Sequence, residues 1–280
     1  MKALWDIRNK KDGRPLLAAH RGVAGGNIPC NTLAAYEIAL RQGADIVELD
    51  VARSADGVLF VFHPGMERPH LGSERLIQDM TAHEVERLRF INQDGTPTEH
   101  RISRLEEALC FLKGRCYVNI DKFWTCMPEI TATVRKLDMQ DQVIVKTAAD
   151  SFWFDQVEAY APDLPYMPIV SEQDTCCDTL LKRKLRYIGA EVLFTTGQSP
   201  TAQADYRDWM HERGLLIWVN AIVYDYRAVL AAGHSDDRSL MGNPDEGWGW
   251  LADAGYDIIQ TDWVQMCRTY LEKREAAAKG

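Results

Sequence analysis

Glu48 and Asp50 sit inside an apolar run made by Ile46, Val47, Leu49 and Val51. Side chains two apart on a strand point to the same side, so the two carboxylates share a face. Two like charges that close raise one pKa and destabilise the fold unless something positive lies between them. A divalent cation is the simplest answer. A polar turn with Ser54, Asp56 and Gly57 follows, and the run VLFVF then delivers His63. Acid pair, turn, strand and histidine together suit an active site better than a core.

The elements that must hold these residues alternate along the chain. Apolar runs predict strands at 16–20, 45–52, 116–121, 142–147, 166–170, 187–194, 215–221 and 257–262. Helical patterns fall between them, at 31–42, 104–113, 126–137, 151–160, 175–184, 202–213, 245–254 and 263–279. Eight β-then-α units predict a TIM (β/α)8 barrel, whose parallel strands are joined through the helices. An open doubly wound sheet is the competitor and normally carries fewer units. One connection is too long for a simple crossover, so the chain reads as a single barrel domain over 1–280 with an insertion at about 53–115. A short helix is expected near Thr81 within it.

The totals bound the possibilities. Of 280 residues, 46% are hydrophobic and 26% charged, ordinary for a soluble chain with a sizeable core. A formal net charge of −9 argues against a general nucleic-acid binder and against docking on an anionic membrane. No stretch reaches membrane-span length, and the start has no apolar run of signal-peptide length. Seven scattered cysteines without zinc spacing suit free thiols in a reducing cytoplasm.

In a barrel, chemistry sits at the carboxyl ends of the strands. Those ends present His20 with Arg21, Glu48 with Asp50, Asn119 with Asp121, Lys146, Glu172, Trp218 with Asn220, and Gln260 with Asp262. At these ends the run LLAAHRG…IPCNTLAAYEIALRQGADIVELDVARSADGVLFVFH resembles the signature region of the glycerophosphodiester phosphodiesterase family, which shares its barrel with sphingomyelinase D-type phospholipases. Weaker echoes, among them YVNID, LLIWVNA and AGYDIIQTD, extend the resemblance from about Leu16 to Leu271.

The resemblance implies a metal-dependent phosphodiesterase acting on a glycerophosphodiester or related small phosphodiester. His20 and His63 match the catalytic histidine pair, one basic and one acidic near neutrality. Glu48 and Asp50 match metal-binding carboxylates, and Asp121 falls where the family has a third. An all-oxygen set implies a hard cation, Mg²⁺ or Ca²⁺. Arg21 is expected to clamp the phosphate through its planar fork. Trp218 matches an aromatic near the substrate, or simply packs in the barrel. A lyase that stops at a cyclic phosphate, a sugar-diester enzyme and a catalytically silent metal- or phosphate-binding module are the alternatives.

The chain departs from the family in three places. Cys30 replaces a glutamate before Asn31 and Thr32, which remain plausible capping residues. Pro64 follows His63 where an aspartate is usual. Phe123 stands where the family has a lysine; Lys122 is expected to point to the other face of its strand, so Lys146 is the expected substitute cation. His70, His83, His100, His211 and His234 are expected in solvent. Asp262 suits either a ligand or the cap of the last helix, and EGWGW either ligand stacking or packing.

Overall fold

The computed structural model describes Ile7 and residues 14–279. Its strands are β1 (Leu16–Ala19), β2 (Ile46–Arg53), β3 (Leu59–Val61), β4 (Tyr117–Asp121), β5 (Val143–Ala148), β6 (Tyr166–Ser171), β7 (Gly189–Leu193), β8 (Leu216–Asn220) and β9 (Ile258–Thr261). All but β3 run parallel and pair in the order β1-β9-β8-β7-β6-β5-β4-β2, and β1 pairs with β2 to shut the cylinder. The eight-stranded parallel barrel with helices between its strands is the TIM fold. The ninth strand, β3, is bonded outside the ring, antiparallel to the end of β2 with Val61 opposite Val51.

Strand parity decides which side chains enter the barrel. Ala18, Ile46, Tyr117, Ile144, Met167, Ile188, Trp218 and Ile258 form one buried cluster that plugs the interior. Their strand neighbours, such as Val47, Leu49, Val118 and Val145, belong to the larger core against the helices. Two residues beyond the plug, the inward positions become His20, Glu48, Asn119, Lys146, Ile169, Asn220 and Gln260. An apolar plug topped by a mostly polar layer therefore follows from period-two alternation.

One strand breaks the parity. Ile188 and Glu191 both face inward although they are three positions apart. Gly189 absorbs the extra residue at φ 153°, and a Cβ there would lie 1.9 Å from the carbonyl oxygen of Leu216. Only glycine permits that approach.

Segment 53–115 carries β3, helices Glu67–Leu71 and Ala82–Arg87, and helix Leu105–Leu112. Phe60, Phe62, Ile77, Met80, Val85, Phe90 and Ile102 make a small core of their own. Leu105, Ala108, Leu109 and Leu112 pack instead on the main core, so that last helix serves the barrel. Thr81 and Glu84 cap the Ala82–Arg87 helix reciprocally.

Two helical expectations need correction. The helix expected over 175–184 is only Cys177–Leu180, because the basic run after it peels away to bind acids: Arg183 to Asp155 and Glu158, Arg186 to Asp141. Helix Asp236–Met241 was not anticipated. Among the described residues, no helix is long and apolar enough to cross a membrane.

Candidate active site

Glu48 and Asp50 share the inward face of β2, and Asp121 lies opposite Asp50 at the end of β4. One oxygen from each of the three falls within 4.8 Å of the others. The turn after β1 holds them in place. Arg21, at φ 57°, directs its backbone N–H to Glu48 Oε2 at 2.7 Å and brings its Nε to 2.9 Å from Asp50 Oδ2. Asn31 Nδ2 donates to the same Asp50 oxygen at 2.8 Å, while its own Oδ1 accepts from the Tyr36 hydroxyl at 3.1 Å. Asn31 is thus a brace for Asp50. Thr32 alone caps the following helix, its hydroxyl accepting from the Ala35 N–H at 3.2 Å.

The donor set fits a hard divalent cation. Asp50 Oδ1 is buried without a hydrogen-bond partner. Burial and the neighbouring Asp50 charge push the Glu48 carboxyl up to about 8. A cation among these oxygens would satisfy the orphaned atom and hold Glu48 ionised.

The two histidines are held differently. His20 Nδ1–H donates to Asp262 Oδ1 at 2.9 Å, and the Tyr224 ring meets the imidazole edge-on at 5.8 Å. Burial works against charge on His20, but the Asp262 bond and the Glu48 charge outweigh it and raise the pKa above 6.5. His63 Nδ1–H donates to the Pro64 carbonyl at 2.9 Å, leaving Nε2 free at 3.9 Å from Asp50 Oδ1. Burial, reinforced by Arg21 and Lys122 and opposed by Asp50, holds the His63 pKa below 6.5. Proline supplies a carbonyl where the family has a carboxylate, and that suffices to fix the tautomer.

The cations differ from expectation. Lys122 does not point away: the strand ends at Asp121, and Lys122 at φ 57° turns its ammonium to Asp121 Oδ2 at 2.8 Å. Burial would raise Asp121, yet Lys122 keeps it below the usual carboxylate range. Lys146 does enter the barrel, but its ammonium lies 2.6 Å from Glu191 Oε2 and 3.1 Å from the centre of the Trp218 ring. Trp218 is fully buried, with its N–H shared between Asn220 and Gln260. It is a floor under Lys146 and cannot stack on a ligand.

Other assignments sort cleanly. Asp262 orients His20, while Thr261 Oγ1 accepts from the Trp263 N–H at the helix start. Glu172 turns outward to Ser199 and Thr195. Trp248 donates to buried Asp236, and Trp250 stacks on His234, so both tryptophans pack. His70 is half-buried rather than solvated, with Nδ1 3.8 Å from Cys30 Sγ. Sequence reasoning missed Glu191, whose signal was an acid inside the apolar run GAEVLF, and Tyr224, in a loop with no periodicity to read.

Two cavities meet at His20. One, of 160 Å³, opens over the polar layer between Glu48, Asp121, Lys122, Lys146 and Glu191. The other, of 650 Å³, runs outward past Arg21, Cys30, His70, Trp263 and Met266.

Residues 166–271 match a family described only as a domain of unknown function, DUF4996. The chain is 37% identical over 102 residues to glycerophosphodiester phosphodiesterase GDPD4 of Arabidopsis thaliana, covering 36% of this chain and 31% of that protein. A glycerophosphodiester phosphodiesterase of Bacillus altitudinis is 31% identical over 141 residues, 46% of this chain and 56% of that one. The chain thus spans less than two thirds of either relative. Among solved structures, a glycerophosphoryl diester phosphodiesterase from Parabacteroides distasonis superposes with a TM-score of 0.75 at 20% identity, covering 95% of this chain and 90% of that one. A phosphodiesterase of Oleispira antarctica in complex with the product sn-glycerol-3-phosphate gives 0.66 at 18% identity, covering 92% and 97%. Its relatives by sequence and its neighbours by fold are glycerophosphodiester phosphodiesterases, which are phosphoric diester hydrolases.

Proposed function

We propose that the chain is itself a metal-dependent phosphodiesterase, hydrolysing a glycerophosphodiester or related small phosphodiester to an alcohol and a phosphomonoester. The observation that carries this reading is the pair of oppositely tuned imidazoles beside a cluster of three carboxylates at one end of the barrel. Environments that push two titratable groups apart assign the acid and the base.

His63 is the base: its Nδ1–H is committed to Pro64, so Nε2 is open to take a proton from the attacking hydroxyl. His20 is the acid, held protonated by Asp262 and placed to protonate the departing oxygen. Arg21 and Asn31 fix Asp50, and Lys122 and Arg21 add positive charge beside the phosphate position. Glu48, Asp50 and Asp121 would hold Mg²⁺ or Ca²⁺, which when bound supplies charge neutralisation for the phosphoryl oxygens. Lys146 acts from below, positioned by Glu191 and Trp218. The reading includes a reducing, cytoplasmic setting, which the seven free thiols fit.

Phosphorus NMR of glycerophosphocholine incubated with the protein, with and without EDTA, tests this. The expected product is glycerol phosphate, lost on chelation. A lasting cyclic phosphate would convert the enzyme into a lyase, and an unchanged spectrum with added Mg²⁺ and Ca²⁺ would remove the reading.

A further inference from the structure

Behind the residues that hold His20 lies a carboxylate that the chemistry above does not use. The end of β9 grips His20 twice: the His20 backbone N–H donates to the Thr261 carbonyl at 3.3 Å, and its ring to the Asp262 carboxylate. The Asp262 side chain is 43% exposed, so its place depends on its main chain rather than on packing. That main chain is held by Asp236, a buried residue. Asp236 Oδ2 accepts the Asp262 N–H at 2.9 Å. Its Oδ1 accepts the Thr261 hydroxyl and the Trp248 indole N–H, each at 2.7 Å. On the other side, the Asp236 N–H donates to the carbonyl of Ala221, just past β8, at 2.7 Å. The stretch between Ala221 and Asp236 carries Tyr224, whose ring meets His20. One residue therefore ties together the end of β9, the end of β8 and the base of the loop that reaches His20.

A carboxylate in the core costs desolvation energy unless its acceptors are used. Burial raises this one to about 6, with the three donors pulling the other way. Its two oxygens divide the work. Oδ1 fastens helix Asp236–Met241 and Trp248 to β9, a packing role that an asparagine oxygen would fill equally well. Oδ2 accepts, among the described residues, from the Asp262 N–H alone. With two donors to satisfy at Oδ1, an asparagine would keep its oxygen there and set its NH2 against the Asp262 N–H, donor facing donor. Resting on the phosphodiesterase reading above, we propose that Asp236 is a positioning residue for the candidate acid. By fixing the Asp262 main chain it aims the Asp262 carboxylate at His20 Nδ1, and so keeps the His20 Nε2–H directed at the departing oxygen. As the P–O bond breaks, its electron pair stays on that oxygen, which takes the Nε2 proton.

The test compares glycerophosphocholine with the same diester carrying p-nitrophenol in place of choline, because p-nitrophenolate departs without a proton. Loss of general-acid help should reach only the first. Asp236→Asn is expected to lower kcat for glycerophosphocholine at least about tenfold with KM unchanged, and to hold kcat for the aryl diester within about threefold of wild type. Trp248→Phe, which takes a donor from Oδ1 alone, should lower the melting temperature yet leave the two rates in the wild-type ratio. Equal losses on the two diesters, no loss on either, or the same selective loss in Trp248→Phe would overturn the proposal. If the wild-type protein turns over neither diester, the hydrolase reading fails, and heteronuclear NMR of the EDTA-treated protein decides the positioning alone. The His20 Nδ1–H resonance should be present in wild type and vanish in Asp236→Asn; its absence from the first or survival in the second rejects the tie. Should Asp236→Asn not fold, hydrogen exchange of the wild-type Asp262 amide decides: protection of at least about a hundredfold is expected, and free exchange rejects the proposal.

Discussion

At the scale of single residues, the proposed roles of the two histidines predict a pH profile. With His63 in its proposed role of base it must be unprotonated, so kcat/KM is expected to rise as pH climbs through a pKa held below 6.5. With His20 in its proposed role of acid it must be protonated, so the rate is expected to fall as pH climbs through a pKa held above 6.5. Each alanine variant should lower kcat by about 10²–10⁴-fold, and His63→Ala should also erase the acidic limb of the pH–rate curve. Glu48 makes a second prediction, read in thermal melts of EDTA-treated protein. With its carboxyl raised to about 8, the folded chain keeps a proton that the unfolded chain has already released. The metal-free protein therefore loses stability as pH rises from about 5 towards 8, whereas Mg²⁺ or Ca²⁺ binding releases that proton and removes the slope. Glu48→Gln should flatten the slope with or without metal.

At the scale of elements, the ordering of strand ends was legible because period-two alternation is strict inside a barrel. That rule put Glu48 and Asp50 on one face, while His20, Asp121 and Lys146 were reached from the strand ends and the family resemblance. It failed where the backbone leaves the strand, at left-handed Lys122, and where an extra residue enters, at Gly189. Those two departures account for the misjudged direction of Lys122 and the missed Glu191. Gly189→Ala would press a methyl into the Leu216 carbonyl and should destabilise the protein by about 2–4 kcal/mol in urea unfolding. Thr32→Ala should cost about 1 kcal/mol in the same measurement, because the helix bracing the HRG turn loses its cap.

At the scale of the molecule, composition pointed to a soluble core-bearing chain, and β-then-α counting pointed to the closed barrel. Neither could supply the cavities at His20, which depend on how helices lean on one another rather than on any local pattern. The same holds for buried Asp236, which accepts hydrogen bonds from Trp248, Thr261 and the Asp262 backbone and so steadies the residue behind His20. Tertiary contact, not sequence spacing, assembles that relay.

The pairing of β1 with β9 sets Leu16 against Ile258, and His20 finds its carboxylate at Asp262. On the proposed roles, a nascent chain emerging from the ribosome would hold nearly all of its candidate catalytic parts and still be idle. The proposed proton donor, His20, acquires its anchor only when the final strand arrives, so a premature stop anywhere before that strand should yield a silent polypeptide, however complete the carboxylate cluster.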